Sequence, residues 1–247
     1  MAKHNNRIML QLFQRIIDDI LWPSVLVVFI WVAYFVNFKY NLDWNQYGIK
    51  PHELIGLRGI IFSPFLHGDF SHLLSNSLPL IVSGGFIFHF YQKYFWKMIF
   101  SLWMLSGIGT WILGSTGSTH IGASGLIYGM IFFLLITGFI RKNKNLLGVS
   151  LLLVFLYGSL VWGIFPEISE WLQQNISWEG HLAGAVSGIL MALILRNVGP
   201  SDDPDPFINE EMPQWWMDMQ QQENLSEQEK QPPTIHYIYK ETKKDLE

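Results

Sequence analysis

Cysteine is absent from all 247 residues. That absence removes disulfides, thiolate metal sites and cysteine nucleophiles, while leaving open which compartment the loops face. Charge is scarce as well, since Asp, Glu, Lys and Arg make up only 15% of the chain, and whole segments pass without any of them. A soluble chain of this length interrupts its apolar runs with polar positions every few residues; this one does not, so its composition is that of a membrane protein. A basic face is missing too. The formal charge is −4, with most of the acidic surplus beyond Asn197, which excludes nucleic acid as a partner. No repeat of solenoid or inverted-transporter type is found. The opening Met-Ala-Lys-His-Asn-Asn-Arg and the charges Arg15, Asp18 and Asp19 place the first apolar run too far in for a cleaved signal peptide, so that run is expected to stay as an anchor.

What the chain does have is hydrophobic length, with half its residues apolar. The runs predict an all-α, polytopic membrane protein with six spans: Leu21 to Val36, Phe70 to Phe90, Phe95 to Leu113, Gly122 to Ile140, Leu146 to Phe165 and Glu179 to Leu195. Each is near the roughly 20 residues that carry a helix across a bilayer. Trp22 and Tyr40 flank the first span where aromatic belts sit, and Pro23 falls in its first turn. Asn37 to Asp69 mixes charges with Ile60, Ile61, Phe62 and Phe65, as a segment lying in the membrane interface would. Residues 1–20 then form an N-terminal segment, 21–196 the six-helix domain, and 197–247 an acidic, disordered tail. Around Pro213 to Met219 the pair Trp215 and Trp216 fits either a short interfacial helix or an incidental feature of a solvated tail. Lys93 and Lys97 lie in the second loop and Arg141, Lys142 and Lys144 in the fourth, whereas Ser115 to Ile121 and Pro166 to Trp178 carry no basic residue. Both chain ends are therefore expected in the cytoplasm, although the first loop, with three basic residues, runs against this count. Size and the bare six-span plan fit a bacterial inner membrane.

With that topology, the polar residues inside the spans fall together. Spans two, four and six run from outside to inside, so His72 and Asn76, Ser124, and His181 all lie near the outer surface, with His67 just before span two. Taken singly each has a plainer reading. Ser124, in Gly122-Ala123-Ser124-Gly125, reads as helix packing; His72 and Asn76, four apart, as an interhelical hydrogen-bonding pair; His67 as the partner of a buried carbonyl. His181 stands evenly between structure and function. His89 and His120 lie elsewhere in this topology and are set aside.

Combined, the residues make chemical sense. A serine hydroxyl needs a base to accept its proton, and His181 shares its span with Gly180, Gly184 and Gly188, a small-residue stripe that allows close approach to Gly122, Gly125 and Gly129. Side chains of His72 and Asn76 with the backbone N–H of Ser124 can serve a developing oxyanion. Asp69 and Glu179 are the nearest carboxylates, but Glu179, two residues from His181, does not share its face, so a dyad is expected. Tyr128, one turn beyond Ser124, can orient the imidazole or simply be an aromatic core contact.

These residues resemble the rhomboid family of intramembrane serine proteases. The pattern is His67, then Phe70-Ser71-His72 through Asn76, Gly122-Ala123-Ser124-Gly125 with Tyr128, and Gly180-His181 with Gly184 and Gly188, over roughly residues 20 to 196. The first loop carries Leu57-Arg58 where the family often has Trp-Arg. The resemblance implies a compact six-helix domain whose fourth span begins below the surface, Ser124 as nucleophile, His181 as base, and His72, Asn76 and the Ser124 N–H around the oxyanion. It implies cleavage of single-span membrane proteins within the lipid bilayer, with no cofactor and no metal. Two rivals remain: a non-catalytic membrane protein that holds clients in the same hollow, and a metal-dependent hydrolase built on His67, His72 and His181. A transporter fits less well, because the polar residues cluster near one surface instead of at the midplane.

Overall fold

Apolar runs of this length fold as helices because hydrocarbon offers no partner to a backbone N–H or C=O, and a helix satisfies them internally. The computed structural model describes residues 2–157, 165, 177–199 and 222. Among them are six long helices: α1 (Ala2–Tyr40), α2 (Phe70–Tyr91), α3 (Phe95–Leu113), α4 (Ser124–Arg141), α5 (Lys144–Leu156) and α6 (Trp178–Ile194). The chain divides into two compact units, Met1–Ser201 and Asp202–Glu247. The first contains all six helices; of the second only Gln222 is described. The later part of the expected fifth span and the expected disorder of the tail lie outside the described residues.

Local signals set the helix ends. Asp69 stands in extended conformation before α2, and its carboxylate accepts the His72 N–H at 2.8 Å, an N-cap that satisfies one of the orphan donors of the first turn. Lys142 adopts a left-handed conformation (φ 53°) after α4, and the Asn143 side chain then caps α5 by accepting from the Asn145 and Leu146 N–H groups. This reversal joins two long helices in a few residues, as an antiparallel pair requires.

Helix α1 differs from expectation. The sequence places a span at Leu21 to Val36 with Pro23 in its first turn, whereas the helix begins at Ala2 and Pro23 lies in its interior. Proline removes one donor from the ladder, and its ring crowds the carbonyl four residues back. α2 meets it there with glycines: a Cβ at Gly84 would stand 2.9 Å from the Pro23 Cβ, and one at Gly85 would stand 3.4 Å from the Asp19 carbonyl oxygen. Farther along, the Trp31 indole donates to the Ser77 hydroxyl at 2.8 Å, tying the two helices at a second point.

Helix α4 is the hub, packing against α2, α3, α5 and α6. Its Ile127, Met130, Phe133 and Leu134 are buried among Leu73 and Leu80 of α2, Leu102 of α3, Leu146 and Leu153 of α5 and Met191 of α6. Large apolar side chains also cover much of the outward surface. Val28, Phe29 and Val32 of α1, Phe100 and Ile112 of α3, and Leu190 and Ile194 of α6 are all exposed, a surface that suits lipid tails and not water. Phe13–Tyr40, Phe70–Leu113 and Ser124–Arg141 are long and apolar enough to cross a membrane, the middle stretch being α2 and α3 joined by the turn Gln92–Tyr94. The chain is an integral, multi-pass membrane protein.

The first loop is built of short turns, at Trp44–Tyr47, Leu54–Arg58, Gly59–Phe62 and Ser63–Phe65. It is bound to the segment before α4: Ile49 and His120 exchange both backbone hydrogen bonds, and the Gly122 N–H donates to the Ser63 carbonyl at 2.8 Å. The loop therefore holds the approach to Ser124 in place.

Candidate active site

Ser124 opens α4 and His181 sits in the first turn of α6. The Ser124 Oγ lies 2.9 Å from the His181 Nε2, within the distance over which a hydroxyl can pass its proton to an imidazole nitrogen. That approach depends on bare backbone. A Cβ at Gly184 would run into the Gly125 carbonyl, one at Gly188 into the Gly129 carbonyl, and one at Gly125 would stand 3.3 Å from the Gly180 carbonyl oxygen. Glycine on both faces lets α4 and α6 pack backbone to backbone, close enough for the one-carbon hydroxymethyl arm of serine to reach a ring on the other helix.

The Tyr128 ring stacks on the His181 imidazole with centroids 4.3 Å apart and planes 10° from parallel. This holds the imidazole plane from one side, and with His181 only 9% exposed little rotamer freedom remains. The Tyr128 hydroxyl is buried and has no hydrogen-bond partner among the described residues, so the ring face, not the phenol, is the part engaged.

A second group lies beside the nucleophile. Gly122, with φ 109°, turns the chain into α4 in a conformation L side chains rarely adopt, and a Cβ there would stand 2.7 Å from the His72 Nε2. The His72 ring thus lies against the backbone two residues before Ser124. Asn76 is buried, and its side-chain amide donates to the His72 carbonyl at 2.8 Å within α2. His67 packs its ring against His72 at 4.9 Å between centroids and is 2% exposed, with neither ring nitrogen in a well-formed hydrogen bond. Burial, aided by the neighbouring His72, depresses its pKa to about 3 against a smaller opposite pull from the Phe65 carbonyl and Asp69. His67 is therefore neutral at physiological pH. Ala123 offers no side-chain cap to α4, so the first N–H groups of that helix are left to face whatever occupies the site.

The two carboxylates are engaged elsewhere: Asp69 caps α2, and Glu179 is buried and accepts from the Ser115 hydroxyl at 3.0 Å. Among the described residues no three His, Cys, Asp or Glu side chains converge as a metal site would require.

Setting His120 aside as remote is corrected by the structure. It is buried, and with Ser63, Ser106, Thr110 and Ser177 it lines the same cavity as Ser124, about 30 Å³ in volume, room for about two waters. Ser177 and Ser115 were also missed. The available signal was spacing: His120 precedes Ser124 by four residues and Ser177 precedes His181 by four, so a second pair meets at the same offset ahead of the first.

A half-buried serine beside a buried histidine, held where two helices of a polytopic bundle pack face to face, with a polar hollow beside them, defines the site. The rhomboid-domain family model matches residues 56–198, more than half of the chain, and the chain belongs to the rhomboid family. It is 40% identical over 163 residues to an uncharacterized protein of Mycobacterium tuberculosis, covering 63% of this chain and 65% of that one. To one of Mycobacterium leprae it is 37% identical, covering 64% and 62%. To RHOMBOID-like protein 2 of Arabidopsis thaliana it is 27% identical over 161 residues, covering 62% and 46%. The chain thus spans no more than 65% of the length of these relatives.

Proposed function

We propose that the protein is an intramembrane serine endopeptidase that cleaves single-span membrane proteins through an acyl-enzyme. The observation that carries this reading is the 2.9 Å contact between the Ser124 hydroxyl and the His181 Nε2, made across two helices whose facing surfaces are stripped to glycine. His181 takes the Ser124 proton as Oγ attacks the scissile carbonyl carbon, and the same proton then passes to the leaving amine as the C–N bond breaks. Water from the adjacent cavity attacks the ester, giving its proton to His181, and Ser124 is restored as the acid product leaves. The N–H of Ser124 and the side chains of His72 and Asn76 stabilise the oxyanion, a contribution worth about 10² to 10³ in rate per donor. Tyr128 keeps the imidazole plane fixed, while His67 backs His72, and the small residues Gly122 and Gly125 leave room at the nucleophile.

A substrate span must present an unwound stretch, because helical peptide bonds are shielded and already hydrogen-bonded. The basic residues of the second and fourth loops support a topology with both chain ends in the cytoplasm and the site near the outer face, and the size and six-span plan fit a bacterial inner membrane. Purified full-length protein in detergent should be labelled by a fluorophosphonate and should cut a model single-span substrate, whereas Ser124→Ala and His181→Ala should do neither. Cleavage persisting in Ser124→Ala, or a folded wild type inert to both probes, overturns the reading.

A further inference from the structure

Glycine faces bring α4 and α6 together and set the distance between the helices, and Tyr128 holds the plane of the His181 ring. The height of His181 opposite Ser124 depends as well on what anchors the start of α6. The structure has a second tie four residues ahead of the first in each segment. The His120 Nδ1 lies 2.6 Å from the Ser177 hydroxyl, and Ser177 is the residue that precedes α6. The Ser177 carbonyl in turn accepts the backbone N–H of His181 at 3.0 Å. His120 is thus joined to His181 through one intervening residue.

The tie is anchored firmly at its other end. The backbone N–H and C=O of His120 are both bonded to Ile49 of the first loop, at 2.8 and 2.9 Å. Ser118 donates its single hydroxyl proton to the Ser115 carbonyl at 2.6 Å. At its 2.8 Å contact with the His120 Nε2 it must therefore accept. That assigns the ring proton to Nε2 and leaves the Nδ1 lone pair to accept from the Ser177 hydroxyl. Burial holds the His120 pKa below its ordinary value, partly offset by Glu179, in keeping with this neutral tautomer. A parallel bond from the Ser115 hydroxyl to Glu179 at 3.0 Å joins the same loop to the same first turn, and no side chain otherwise caps α6.

We propose that His120 is a positioning residue: through Ser177 it fixes the register of α6 and so the height of the His181 imidazole opposite Ser124. The role rests on the reading of Ser124 and His181 as the catalytic pair. Misplacing a reacting group by about 1 Å costs about 10²-fold in rate, which sets the scale.

The test uses the full-length protein in detergent and two independent readouts. His120→Ala and Ser177→Ala should each slow the maximal rate of fluorophosphonate labelling at Ser124 by about 10- to 100-fold with probe affinity unchanged, and Ser177→Thr, which keeps the hydroxyl, should stay near wild type. The double variant should be no slower than the worse single one, because both remove one linkage. Hydrogen exchange at residues 178–182 should rise in both alanine variants and not in the middle of α4. Wild-type labelling rates in His120→Ala, additive losses, or a loss of labelled fraction with an unchanged rate constant would overturn the role, the last marking mere misfolding. Should the wild type itself resist labelling, the enzymatic reading fails separately, and unchanged exchange at 178–182 in His120→Ala would still refute the tie.

Discussion

Placing a single methyl group at Gly184 is the sharpest perturbation the packing offers. A Cβ there would run into the Gly125 carbonyl, with the Gly125 carbonyl carbon at 2.9 Å and the Tyr128 Cβ at 3.0 Å. Carbon pairs rest at about 3.5–4.0 Å, so α6 must withdraw from α4 by about 1 Å. No side-chain rotation relieves this, because the obstacle is backbone. The Ser124–His181 contact, 2.9 Å in the native packing, would lengthen beyond hydrogen-bond range. We expect Gly184→Ala to lose about 10²-fold in labelling rate at Ser124 and about 1–3 kcal/mol of stability from overpacking. Gly148→Ala is the control: its Cβ would meet nothing within 4 Å, and on an exposed stretch of α5 it should gain up to about 1 kcal/mol of helix propensity with labelling unchanged. Fluorophosphonate kinetics and thermal unfolding in one detergent would measure both. A Gly184→Ala protein that melts and labels like wild type would refute the claim that bare backbone holds the pair together.

Two further outcomes follow from the site. Tyr128→Phe should label Ser124 at close to the wild-type rate and be at least as stable, since the ring stacks on His181 and the buried hydroxyl has no partner among the described residues. Tyr128→Leu should slow labelling several-fold, and the reverse order would show that the hydroxyl matters and the stack does not. His67 has a folded-state pKa near 3 against an ordinary value of 6.5, so its neutral form stabilises the fold above pH 6.5 and that contribution is lost as pH falls toward 3. By pH 5 the loss amounts to about 2 kcal/mol. Melting temperatures from pH 7 to 5 should therefore fall less steeply in His67→Gln than in wild type, and parallel slopes would contradict the burial argument.

How much of this was legible in the sequence depended on range. Apolar runs of bilayer length have one way to satisfy their backbone, so the helices and the membrane setting follow from composition and run length. The polar residues at matching ends of alternate spans were equally visible, because span length and alternation of direction suffice to put Ser124, His72, Asn76 and His181 toward one end of the bundle. The extent of α1 was not visible: a charged, weakly apolar segment gives no clear start, and the packing of α2 glycines on Pro23 is a contact between distant residues. His120 was overlooked for the same reason. Its loop position says little until the Ile49 bridge and the Ser177 hydroxyl show what it joins. Local physics along the chain therefore determined which segments are helical and which residues are polar within them. Only the tertiary structure decided which of those residues touch, since a contact across 57 residues rests on how two glycine faces pack and not on any property of either segment alone.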